Sequence, residues 1–244
     1  MRTWRDVARY HLVLPWAILL IPWAILAVSF IVNLVIFSLA PVGHHEVLTS
    51  QGVVQVANAA HNYTGGVASI YILFFAIGTS IVGRSLPFAL TLGVSRRSYY
   101  TGSAALGVAL AVADGLALAA LQAIERSTDG WGAQMHFFQV PYVLAGPWYL
   151  TWLTSSVALA LLFVYGMWFG IVYRRWNLVG AAAFTAAQLV VVLAAVLLVA
   201  SANAWSSVGH FFTGLTAAGL TGLLAGLAVL LLAGGHATIR RAAV

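Results

Sequence analysis

Arg84-Ser-Leu-Pro-Phe-Ala-Leu-Thr-Leu-Gly-Val-Ser-Arg-Arg-Ser-Tyr-Tyr100 separates two long apolar runs and decides how the chain is read. It holds three of the eleven basic residues and no acidic one, and it is broken by Pro87 and Gly93. Proline suits the first turn of a helix, where its missing N–H is not needed. Glycine suits the left-handed stop just after one, and Ser95 can cap the helix that follows. The stretch therefore predicts a short helix, a tight corner and a second helix. Arg96 and Arg97 fall in the first turn of that second helix, where the macrodipole disfavours cations. Something outside must favour them, an anionic headgroup or an acidic protein surface. We read the stretch as a cytoplasmic helix and turn that another protein can grip.

Of the 244 residues, 62% are hydrophobic and 7% charged, and mean hydropathy is +0.98. A soluble domain carries about 25% charged residues. The composition is that of an all-α polytopic membrane protein. The formal net charge of +6 comes entirely from arginine against five acids. It sits in short loops, which argues for membrane orientation rather than nucleic acid. There is no cysteine, so disulfides, thiolate nucleophiles and Cys-ligated metals are excluded.

The apolar runs predict six transmembrane helices, at about residues 15–40, 67–83, 99–125, 147–173, 178–200 and 213–232. Residues 1–14, with Arg2, Arg5 and Arg9 among Trp4, Val7 and Tyr10, read as an amphipathic helix on the inner membrane surface. The run to Ala40 is long enough to remain a span rather than a cleaved signal peptide. Pro22 is expected to kink the first span, and Asn33 and Ser38 to offer polar points for helix contacts. Residues 41–66 contain His44, His45 and His61 but no Lys or Arg and read as an external loop. Without Cys or helical His spacing, the histidines do not read as a metal site. A second external loop, residues 126–146, is rich in aromatics that are expected at headgroup level, His136 among them. Arg174-Arg175-Trp176-Asn177 reads as a very short internal corner, and residues 201–212 as a short external helix or partial re-entry. Gly166 with Gly170, and Gly222 with Gly226, are small-xxx-small pairs that permit close helix approach. On this topology every arginine but Arg126 lies on one side, which places both termini in the cytoplasm.

Ser103, Gly107, Ala111, Asp114, Leu118 and Glu125, with Gln122 alongside, share one face of the third span, and that face is expected to turn inward. Asp114 lies ~25 Å beyond Arg97, in the outer half of the bilayer, where an unpaired carboxylate costs a few kcal/mol. It either lines a cavity as a proton-sensitive group or bonds a neighbouring helix. Gln188 and Thr185 lie near the middle of the fifth span.

No lysine means no Walker A motif, so the chain carries no ATPase of that kind. A rhomboid-type serine site would need a buried Ser followed by Gly; Ser80 and Ser95 lack it. We read the chain as no enzyme, with no catalytic, cofactor-binding or metal residues of its own.

The stretch from Leu86 to Ser103, the loop from Ile124 to Gly132 with His136 to Tyr142, and Val172-Tyr-Arg-Arg-Trp resemble permease subunits of bacterial ATP-binding-cassette (ABC) exporters of the type-2 exporter superfamily. The likeness extends over most of the chain and is sharpest at Leu92-Gly-Val-Ser-Arg-Arg97. It implies a transporter of the bacterial cytoplasmic (inner) membrane in which two permease copies, identical or paired, sit on two ATPase subunits that hold the ATP and Mg. It implies that Leu86, Pro87, Phe88, Leu90, Gly93, Val94, Ser95, Arg96 and Arg97 form the coupling helix gripped by the ATPase, with Arg174 and Arg175 as a smaller contact. It implies efflux of a hydrophobic or amphipathic drug, peptide or lipid. The other reading is a non-transporting membrane interaction protein, such as an immunity or sensory subunit on the same scaffold.

Overall fold

A computed structural model describes residues 15–39, 45–49, 52–56, 65–139 and 147–241. The N-terminal interface helix expected over residues 1–14 lies outside them. Lipid offers no hydrogen bonds to a backbone, so apolar runs of this length satisfy their peptide groups internally as helices. Helix α1 is Pro15–Leu39; α2, Ala68–Ser80, leads through a π-widened turn, Ile81–Ser85, into α3, Leu86–Thr91. Helix α4 is Arg96–Ser127 and α5 is Trp148–Ser201. Helices α6, Trp205–Thr213, and α7, Ala217–Arg241, complete the chain. Among the described residues four helical stretches are long and apolar enough to cross a membrane: Ala68–Thr91, Arg96–Ser127, Trp148–Ser201 and Ala217–Thr238.

The long helix α5 is two rods rather than one. At Asn177 the backbone leaves helical values, with φ 55° and ψ −153°. Residues on either side then meet: the Tyr165 hydroxyl donates to Gln188 Oε1 at 2.6 Å, and the Trp168 and Phe184 rings lie 5.3 Å apart. The first arm, residues 148–176, and the second, residues 178–201, form an antiparallel hairpin, as the short corner predicts. With α1, the α2–α3 rod, α4 and α7 this gives six rods among the described residues.

Contacts along the rods fix their directions. The α2–α3 rod runs parallel to the first arm of α5, from Gly78 beside Phe163 to Val82 beside Gly170. Helix α4 runs against that arm, with Gly107 beside Phe163 and Gly115 beside Ser156. Helix α7 runs parallel to it: Thr154 and Thr221 hydroxyls meet at 2.6 Å, and Trp168 Nε1 donates to Thr238 Oγ1 at 3.3 Å. Helix α1 packs against α2 and is tied to α4 by the Trp23 indole, which donates to Asp114. Arg84, Arg96, Arg97, Arg174, Arg175, Arg240 and Arg241 consequently sit at one end of the bundle, and Arg126 at the other. The core lies where α2, α4 and the first arm of α5 meet, around Ile70, Phe74, Leu159, Phe163 and Met167. The second arm of α5 presents Leu189, Val190, Val191, Val192 and Leu193 outward, a lipid-suited surface.

Several expectations are corrected. The segment read as an external loop carries a short antiparallel hairpin, β1 His45–Thr49 with β2 Gly52–Val56, beside a bundle that is helical as expected. Thr213 ends the short helix α6 instead of opening the last span, which begins at Ala217 and continues to Arg241. Asn33 and Ser38 bond carbonyls of their own helix, Ser29 and Val35. Gly166 and Gly170 do receive a neighbour, the backbone of Phe75 and Thr79, but Gly222 and Gly226 face open space. Helix α7 packs through Thr221, Ala228 and Gly235 instead, a different face.

Candidate functional site

The elbow between α3 and α4 is built by backbone chemistry. Pro87 stands at the start of α3. It has no N–H for the carbonyl of Gly83, and its ring crowds that carbonyl; the turn before it widens to the π form. Gly93 takes φ +79°, its N–H bonds Leu90 O at 3.0 Å and the Val94 N–H bonds Ala89 O at 3.1 Å. Those two bonds are the paired closure of a Schellman motif. Ser95, extended at φ −68° and ψ 146°, caps α4 by accepting the Ser98 N–H at 3.1 Å. All three punctuation residues do what the sequence predicts. Unforeseen is that the second span and the short helix form one helical path, 68–91, with a widened turn instead of a break.

The elbow has two sides. Leu86 and Ala89 are buried, with Leu90 and Val94 packed against the core. Phe88 is 49% exposed and Leu92 41% exposed, with Arg97 exposed and Arg96 half-buried next to them. An aromatic and an aliphatic side chain thus project beside basic charge. At the α5 corner Arg174 and Arg175 are exposed, and the Arg175 guanidinium lies 4.6 Å over the Trp176 ring. Both features occupy the same end of the bundle.

Two tyrosines that the sequence reading left without a role lock the elbow inward. The buried Tyr99 hydroxyl donates to Ile81 O, in the π-widened turn, at 2.8 Å. The neighbouring Tyr100 hydroxyl donates to Leu232 O of α7 at 3.1 Å. A buried phenol needs a partner for its hydroxyl; that requirement was the available signal, but not the identity of the partners.

The intramembrane polar residues do not come together. Asp114 Oδ1 accepts the Trp23 indole N–H at 3.0 Å, which is the helix-to-helix arrangement of the two expected for it. Gln188 is taken by Tyr165 as described, and Gln122 Nε2 donates to Phe138 O at 3.4 Å. Gln122 belongs to a cap at the far end of α4, organised by Glu125. That side chain is fully buried. Its Oε2 accepts Trp131 Nε1 at 3.1 Å and the backbone N–H groups of Phe137 and Phe138 at 2.9 Å each. Phe30 of α1 packs on this loop, its ring 5.0 Å from Trp131 and 5.4 Å from Phe137. The aromatic loop expected at headgroup level is, over its described residues, folded into the end of the bundle: Met135, Phe137 and Phe138 are buried. His136 pairs with Gln139 Nε2 at 3.1 Å. Sequence reading placed Glu125 on the inward face and missed its role as a hub.

Compared with known proteins, the chain matches no family model, no curated protein and no solved structure.

Proposed function

We propose that this chain is the membrane-spanning permease subunit of an ABC-type exporter, with the elbow as its coupling element. The observation that carries the reading is a rigid, doubly capped corner, with Phe88, Leu92 and Arg97 on its outer side and Leu86 and Ala89 on its inner side. An element that transmits force must be stiff and must offer a surface to its driver. Capping makes it stiff, and an apolar pair beside basic charge suits an acidic-rimmed groove on a protein. The aggregation of arginines at one end of the bundle supports six spans with both termini in the cytoplasm of a bacterial inner membrane. In this reading two permease copies line the pathway, two ATPase subunits hold ATP and Mg, and nucleotide binding draws the elbows together. The bundle then exchanges between two packings, one open inward and one outward. The substrate class is hydrophobic or amphipathic, in keeping with an apolar bundle in which Asp114 and Gln188 are taken up by Trp23 and Tyr165.

The test is affinity purification of the full chain from its native membrane, followed by identification of a bound ATPase. Arg96→Glu combined with Arg97→Glu is expected to lower recovery of that ATPase at least tenfold while the chain elutes as folded protein. Recovery unchanged by the double substitution, or purification with no nucleotide-hydrolysing subunit at all, would refute the assignment; the second result favours a non-transporting interaction protein.

A further inference from the structure

We propose that Tyr99 and Tyr100 are the positioning residues through which motion of the elbow reaches two other rods. This deepens the coupling reading above and rests on it for its purpose, though not for its geometry. The two residues stand four and five positions after the Ser95 cap of α4, where the first turn passes into the second, so they move with the elbow as one body. Successive residues on a helix point about 100° apart, and these two use that divergence. Tyr99 reaches back to Ile81, the first residue of the π-widened turn. Tyr100 reaches 132 residues along the chain to Leu232.

Three details show that the ties are built in. Both rings are buried, at 0% and 2% exposure, so neither hydroxyl has bulk water to turn to. Gly235 lies against the Tyr100 hydroxyl so closely that any β-carbon there would run into it. The Tyr100 ring also stacks edge-on against His236, 5.9 Å between centroids, which holds it against α7. At the other tie, the π-widened turn is the place in the α2–α3 rod where the regular backbone ladder changes register, and such turns are a common seat of movement. One tie therefore grips a pliable turn and the other grips a straight rod. A shift of the elbow changes the turn through Tyr99 and drags α7 through Tyr100.

The experiment uses hydrogen exchange on the full chain in lipid nanodiscs, with no partner required. Tyr99→Phe removes one hydroxyl bond and is expected to speed exchange of amides 81–86 about fivefold, with amides 232–238 unchanged; Tyr100→Phe is expected to do the reverse. Gly93→Ala then serves as a disturbance of the elbow, because it forces a β-carbon into a left-handed backbone with no clash around it. In the parent chain Gly93→Ala is expected to alter exchange at 232–238, and in Tyr100→Phe that response is expected to vanish. A merely structural tyrosine would give additive effects. Additivity, or phenylalanine variants whose exchange matches the parent in both segments, overturns the proposal. Failure to recover an ATPase in the purification above would refute the transporter reading and leave this exchange result to stand or fall alone.

Discussion

Removing the Glu125 carboxylate should release the cap at the far end of the bundle. Three N–H donors converge on one of its oxygens, from the Trp131 indole and from the Phe137 and Phe138 backbone. A hydrogen bond to a charged group contributes about 1.5–3 kcal/mol. Summing three such bonds overshoots, since they share one acceptor and the freed loop can find water at the end of the bundle. Each neutral donor left buried without an acceptor costs about 1–3 kcal/mol, and for three donors with water within reach of some of them we take about 3–5 kcal/mol for Glu125→Ala. At 1.4 kcal/mol per factor of ten, the amides of Phe137 and Phe138 should exchange about two to three and a half powers of ten faster. Glu125→Gln keeps an acceptor oxygen but not the charge, and should cost about 1–2 kcal/mol. The assay is site-resolved hydrogen exchange, with amides of the elbow at the opposite end as the internal control. If Glu125→Ala leaves residues 137 and 138 within threefold of the parent, the hub assignment is wrong. If the elbow loosens equally, the effect is global unfolding and the cap is not an independent unit.

Other expectations concern the rod contacts. Gly78→Ala and Gly166→Ala each place a β-carbon against facing backbone, Phe163 O and Phe75 O respectively, and should destabilise by about 1–3 kcal/mol. Gly222→Ala and Gly226→Ala meet nothing and should be neutral or stabilising by up to about 1 kcal/mol; thermal melting in detergent compares the four. Trp23→Phe should cost about 1–2 kcal/mol by taking away the donor to Asp114. Asp114→Asn retains an acceptor and should cost less, and a Trp23/Asp114 double-mutant cycle should show coupling rather than additivity. Asn177 adopts a backbone region that glycine tolerates best, with φ 55° and ψ −153°. Asn177→Gly should therefore raise stability by about 1 kcal/mol, and a lower melting temperature would contradict the strain at this corner.

What the sequence determined by itself was local: the apolar runs, the arginine corner at Asn177, and the Pro87, Gly93 and Ser95 punctuation of the elbow. Each of these depends on a few consecutive residues and on backbone chemistry that neighbours do not alter. Gly166 and Gly170 looked no different from Gly222 and Gly226, yet the first pair is packed and the second open. Hydrophobicity cannot separate them, because a lipid tail is as apolar as a leucine and either surface satisfies the same side chains. The partners of Asp114, Glu125, Tyr99 and Tyr100 depend on the depth and rotation of whole rods, up to 132 residues apart in the chain. Only the folded bundle sets those two quantities, so only the tertiary structure could decide which polar group answers which.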